Sequence, residues 1–238
     1  MIPAVLELSG VIKDYRGLRP LRIAALSVGG GEHVALLGVD QVAAEVLINL
    51  VTGATLPEAG DIHVFGRPTS AISDSADWLA TVDRFGIVSE RAVLLDQLTV
   101  IQNLSMPFTL EIEPPPDEVR RRASALAREV GLQESGWELP IAALDASARV
   151  RLRLGRALAL DPAVLLLEHA SAGLSAQDAG TLGADIRTIA LRRGAAIVAA
   201  TLDEAFARAV AGRVLKWEPA TGRFAEQRSG RWFGRLLG

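Results

Sequence analysis

Apolar positions change their rhythm along the chain, and the change divides it into two kinds of structure. Over the first 70 residues, "AVLELSGVIKDY", "LRIAALSV", "EHVALLGV" and "DIHVFG" read as strands, with turns at "GGG" (29–31) and "PEAG" (57–60). After residue 80, the short apolar runs "FGIVSE", "AVLLLEH" and "AAIVAAT" alternate with longer stretches of helical spacing. That succession predicts βα units and a mainly parallel sheet, an α/β fold. Between these runs, "EPPPDEVRRRASALAREVGL" has a proline stop, acids in its first turn and a glycine near its end. It predicts a capped helix inside a mostly helical insert spanning residues 96–147. "KWEPATGRFAEQ" reads as a terminal hairpin.

One stretch adds candidate chemistry. "LLGVDQVAAEVLINLVTG", residues 36–53, has the frame of a phosphate-binding loop: a strand end, a glycine, a turn, an amphipathic helix and a closing glycine. Against G-x-x-x-x-G-K-[ST] it supplies Gly38 and then none of the other required residues. With good helix formers replacing flexible ones, the helix is expected to begin near Gln41. Asp40 stands where an N-cap belongs, and Glu45 lies within the first turn and a half. Two readings stay open: both acids satisfy the helix end, or Glu45, Glu90 and Glu168 converge on a cation.

Composition narrows the chemistry. The chain has 238 residues, half of them hydrophobic, enough for one large domain with a substantial core. No uncharged apolar run approaches the roughly 18 to 20 residues of a bilayer span, and no basic-then-apolar leader opens the chain, so a cytosolic protein is expected. The absence of cysteine excludes disulfides, thiolate metal sites and cysteine nucleophiles. A net charge of -3 argues against general nucleic-acid binding. Among 25 basic residues only Lys13 and Lys216 are lysines, and neither follows a glycine-rich turn into a helix. The run Arg120 to Arg122 reads as a solvated face.

Taken in order, these segments resemble the ATP-binding cassette subunit of an ABC transporter over residues 5–227. "LELSGVIKDYRG" resembles the opening strand, with Tyr15 at the adenine-stacking position, and "VALLGV" leads into the Walker A position. "FGIVSERAVLLDQLTVIQNLSMPF" is similar to the Q-loop and the family's "LTV.EN" segment. "LPIAALDASARVRLRLGRALALDPAVLLLEHASAGLS" keeps the register of the signature, its helix, Walker B and the D-loop, and "AAIVAATLDEAFARAVAGRVL" that of the switch-histidine strand. The resemblance implies a P-loop NTPase-like sheet flanked by helices, in a single cassette domain over 1–227. That domain would hold an antiparallel β subdomain in 1–75, the helical insert over 96–147 and the rest of the core over 148–227, followed by a basic and aromatic tail, 228–238.

At the family's functional positions the residues differ. The phosphate lysine is replaced by Ala44, the magnesium hydroxyl by Glu45, the Q-loop glutamine by Glu90 and the Walker B aspartate by Glu168. His169 replaces the catalytic glutamate, Leu202 the switch histidine and Ser175 the D-loop aspartate, while Asp145 falls where the signature has its serine. Positive charge is removed from a site that holds an anion, and carboxylates at Asp40, Glu45 and Glu90 are added, so tight ATP binding is not expected. His169 would have no clamped phosphate against which to activate water, and Thr201-x-x-Glu204 reads as a capping box for the next helix. His33 and His63 read as ordinary sheet residues. No catalytic, cofactor-binding or metal residue is therefore expected.

The resemblance also implies partners. Cassettes work in pairs, and Asp145 would face the partner's γ-phosphate, so both composite sites of a homo- or heterodimer would be impaired. The groove that receives the permease looks better kept, and Glu90, Arg91, Leu95, Leu98 and Asn103 are its candidate docking residues. Its pattern is nearest to lipid- and lipoprotein-handling cassettes. If the tail is helical, Trp232 and Phe233 fall on an apolar side opposite Arg228, Arg231 and Arg235, and two readings stay open: that side folds back on its own domain, or it meets a membrane surface or partner groove. The expectation is a pseudo-ATPase on the cytoplasmic face of the inner membrane, with a free-standing regulator and an unorthodox ATPase as alternatives.

Overall fold

The computed structural model describes residues 3–227. Two sheets organise it. The first is antiparallel, order β2-β1-β4-β5, from β1 (Ala4–Lys13), β2 (Leu21–Gly29), β4 (Ala59–Val64) and β5 (Arg67–Pro68). The second has the order β10-β9-β3-β8-β7-β6, from β3 (His33–Leu37), β6 (Phe85–Val88), β7 (Val164–Glu168), β8 (Ala196–Thr201), β9 (Arg213–Glu218) and β10 (Arg223–Glu226). It is parallel from β9 through β6, and the expected hairpin closes it as the antiparallel pair β9 and β10.

Strands β3, β7 and β8 are buried throughout and mostly apolar because both of their faces are covered, with His33, Glu168 and Thr201 as their polar residues. Alternate side chains point to opposite sides. Val34, Leu36, Val164 and Leu166 join a core built with β1, β2, β4 and the helix α1 (Gln41–Val51). Ala35, Leu37, Leu165 and Leu167 join a second core with α3 (Val100–Ser105), α4 (Asp117–Glu129), α5 (Ala146–Ala157), α6 (Ala176–Arg193) and α7 (Glu204–Val210). One short helix, α2 (Ser75–Val82), is not among the elements the sequence predicts, and it buries no residue fully.

Helix α4 begins and ends as its sequence predicts, with Asp117 and Glu118 in its first turn and Gly131 at φ 77 beyond its end. Its arginines Arg120 to Arg122 form the expected solvated face, all of them exposed. Arg120 pairs with Glu138, Arg121 with Glu118 and Arg128 with Glu134, while Arg122 lies over the Phe108 ring. Among the described residues no helix is long and apolar enough to cross a membrane. The tail residues Trp232 and Phe233 lie outside the described residues.

Candidate functional site

The C-terminal ends of β3, β6, β7 and β8 meet where α1 begins. Gly38, at φ 92, ends β3 in a backbone conformation that favours glycine, and its N–H donates to the Thr201 carbonyl at 2.9 Å. Asp40, extended at φ -73 and ψ 173, caps α1 by accepting from the Ala43 N–H at 2.8 Å. The helix thus starts at Gln41, as its composition predicts, and its own carboxylate occupies the dipole end that would otherwise face an anion. Ala44 is 0% exposed and packs into the core.

The centre of the site is an arginine. The Glu168 side chain, at the end of β7, is 0% exposed. It accepts from Gln41 Nε2 at 2.6 Å, from Arg91 Nη2 at 2.7 Å and, through both oxygens, from Arg91 Nε at 3.2 Å. Arg91 Nη1 also reaches Glu45 Oε1 at 3.2 Å. The hydrogen bond to Glu168 holds the guanidinium above its ordinary pKa, with burial pulling the other way and both carboxylates reinforcing the rise. The cation expected to be missing is therefore present, but it comes from the loop after β6 and is consumed by two carboxylates.

Several sequence expectations are corrected by this geometry. Glu45 does not satisfy the helix end; it pairs with Arg91 because, one turn in, its side chain points across the site. Glu45 and Glu168 do converge, but on Arg91, and Glu90 stays exposed outside the network. Among the described residues no group of three or more metal-ligating side chains is assembled. Thr201 is not the cap of α7: it ends β8, its hydroxyl accepts from the Asp203 N–H at 3.0 Å, and Asp203 caps the helix through the Phe206 N–H. Arg91, expected to meet a partner, pairs with both carboxylates while its side chain stays 40% exposed. Its signal was its place beside Glu90, one residue from the position the family resemblance marked.

The remaining positions are built as helix starts and strand ends. Asp145 caps α5 through the Ala148 N–H, and Ser175 caps α6 while exchanging hydrogen bonds with Asp178. Leu202 is 61% exposed. His169 sits at φ 46, its N–H donates to the Ala200 carbonyl, and its Nε2 is buried without a partner among the described residues. Tyr15 is half-buried; burial first, then the Asp40 carboxylate, raises its phenol pKa. His33 and His63 lie on β3 and β4.

The loop that carries Arg91 is also held from the helical side. Arg153 Nε donates to the Ala92 carbonyl at 3.4 Å and Arg156 Nη1 to the Val93 carbonyl at 2.6 Å. Asn103, fully buried, accepts from the Leu95 N–H and donates to the Leu95 and Thr99 carbonyls, so it positions the loop and meets no partner. Leu98 is half-buried, and Leu95 is exposed.

Comparison with known proteins places this arrangement in a family. The ABC transporter model matches residues 21–172, more than half of the chain. The methionine import ATP-binding protein MetN of Brucella abortus (strain 2308) is 29% identical over 212 residues, 89% of this chain and 56% of that protein. The chain thus spans little more than half the length of those relatives. The lipoprotein-releasing system ATP-binding protein LolD of Saccharophagus degradans is 25% identical over 207 residues, 85% of this chain and 90% of that protein. Two solved structures share the fold. They are cbiO1 from Clostridium perfringens, part of the ABC transporter complex cbiONQ (TM-score 0.78, 22% identity, 93% of this chain and 87% of that one), and the dimeric ATP-binding cassette MJ0796 bound to ADP and Pi (TM-score 0.74, 20% identity, 94% and 100%). On the span of the family match and the shared cassette fold, the chain belongs to the ABC transporter family.

Proposed function

We propose that this chain is a cassette subunit that does not hydrolyse ATP and acts as a structural or regulatory component of an ABC transporter. The observation that carries the reading is the pairing of Arg91 with buried Glu168 and with Glu45, beside a helix end already capped by Asp40. A nucleotide's phosphates need unspent positive charge and free backbone N–H groups. Here those groups are engaged by the chain's own carboxylates, and binding an anion would require drawing the guanidinium away from the buried Glu168 carboxylate. The magnesium ion that accompanies ATP in this fold would find Glu45 and Glu168 already held by a guanidinium.

The dimeric state of MJ0796 and the cbiONQ complex of which cbiO1 is part support a second cassette or a membrane permease as partner. That partner would hold the chain peripherally at the cytoplasmic face of the inner membrane. The lipid assignment rests on the lipoprotein-releasing relative and is the narrower part of the proposal.

Calorimetry with Mg-ATP and phosphate release from the purified chain test the reading. No turnover above background is expected, alone or with a partner cassette. Ala44→Lys alone should not restore it, because Glu45, Glu168, His169 and Leu202 each alter a separate part of the mechanism. Magnesium-dependent turnover by the wild-type chain, lost in His169→Ala, would reject the proposal.

A further inference from the structure

Two arginines tie the helical insert to the core at the C-terminal end of α4. Glu129, the last residue of α4, accepts from Arg193 Nε at 2.9 Å and from Arg193 Nη2 at 2.6 Å. This is a bidentate pair with the last residue of α6. One residue further on, the Val130 carbonyl accepts from Arg151 Nη1 at 2.8 Å, and Arg151 Nη2 donates to Asp185 of α6 at 2.6 Å.

Arg193 reaches beyond Glu129. Its Nη1 donates to the Leu158 carbonyl at 3.1 Å and to Asp161 Oδ1 at 3.0 Å. Leu158 caps α5, and Asp161 stands in the turn before β7. From its place on α6, one guanidinium therefore grips the insert, the end of α5 and the approach to the parallel sheet. Arg193 and Glu129 are both half-buried. Their hydrogen bond holds the Glu129 carboxyl below the usual carboxylate range and the guanidinium above its ordinary pKa, in each case against burial. Both groups stay charged.

Helix α4 itself buries Ala123, Leu126 and Ala127, only one of them larger than alanine. Apolar contact is also non-directional, whereas a bidentate arginine pair fixes an angle as well as a distance. Direction is what the pair supplies.

We propose that Arg193 is a latch. While it grips Glu129, α4 keeps one orientation against α6; its release lets the end of α4 swing away from the core while the sheet stays folded. The inference goes beyond the proposed function and does not depend on what the chain binds.

The test uses the full chain without nucleotide. Because the sequence contains no cysteine, nitroxides placed by Ala125→Cys on α4 and Thr188→Cys on α6, both exposed positions, report one distance by pulsed dipolar spectroscopy. With Arg193 present, that distance is expected to be single and narrow. Arg193→Gln should add a second, longer one. In the same variant the amides of the last turn of α4 should exchange about tenfold faster, the least that loss of a charge-assisted pair implies. Amides of β3, β7 and β8 should keep their wild-type protection. A single narrow distance in Arg193→Gln, or exchange that rises equally in α4 and the sheet, overturns the proposal, the second result because it marks a plain loss of global stability. Should Arg193→Gln fail to fold, Glu129→Gln decides, since it breaks the same pair and leaves Arg193 its contacts with Leu158 and Asp161. A second distance there supports the latch, and a single one overturns it. ATP turnover by the chain would end the pseudo-ATPase reading without altering this comparison.

Discussion

Three arginines surround one short loop, and they are used in opposite ways. On the side of the parallel sheet, Arg91 is spent: Glu168 and Glu45 take its charge, and the network joins the loop, β7 and α1. On the side of α5, Arg153 and Arg156 hold only loop carbonyls. The first region has the chemistry of a closed charge pair, the second that of guanidinium groups spent on backbone carbonyls. The loop between them is fixed from both sides by protein groups alone.

The strongest way to break the comparison is to remove the closed joint. Arg91→Ala leaves the buried Glu168 carboxylate with only Gln41 to meet it, and a buried acceptor that loses its partner costs about 1 to 3 kcal/mol, with solvent at the half-exposed Arg91 side tempering the loss. Urea unfolding should register that loss. The apolar replacement Arg91→Met/Glu168→Leu should recover most of it, because it removes both charges together. If Arg91→Ala unfolds like wild type, the pair is not the joint described here.

Much of this architecture was legible because its signals are local. Buried strands read as unbroken apolar runs, and the Asp40 cap sits three residues from the N–H it accepts. The pairing of Arg91 with Glu168 was not legible, since it closes across 77 residues and depends on strand order. Helix α2 escaped notice because it is short and half-exposed, leaving little periodicity to read. Thr201 was misread for a geometric reason: the capping pattern is present, but the strand runs through Thr201 and moves the helix start to Asp203. Asn103 looked like a surface docking residue until the fold closed Leu95 and Thr99 around its amide.

Removing the cap tests whether the helix end is closed as firmly as the joint. Asp40→Ala is expected to cost about 1 kcal/mol, the usual worth of an N-cap. It should also raise sulfate affinity at the exposed helix end, a gain readable by titration calorimetry. A change of similar size but opposite sign is expected at His169, whose left-handed backbone costs roughly 1 to 2 kcal/mol in a residue with a side chain. His169→Gly relieves that strain and removes a buried, unpartnered nitrogen, against a backbone entropy cost of roughly 0.5 to 1 kcal/mol. A modest rise in melting temperature is the expected result, and a fall would mean that the imidazole packs in a way its backbone strain conceals.

The smallest effect is expected within the joint itself. Arg91 touches two carboxylates, but they are not equivalent: the Glu168 side chain is wholly buried, whereas that of Glu45 is 44% exposed and screened by water. An exposed pair contributes about 0 to 1 kcal/mol, because its attraction is weakened by solvent and offset by the freedom two long side chains lose. Glu45→Gln should therefore shift unfolding by no more than about 0.5 kcal/mol, and raising the salt concentration should shrink the difference further. A loss as large as that of Arg91→Ala would show that Glu45, and not Glu168, anchors the guanidinium. It would move the centre of the closed region from the end of β7 to the first turns of α1.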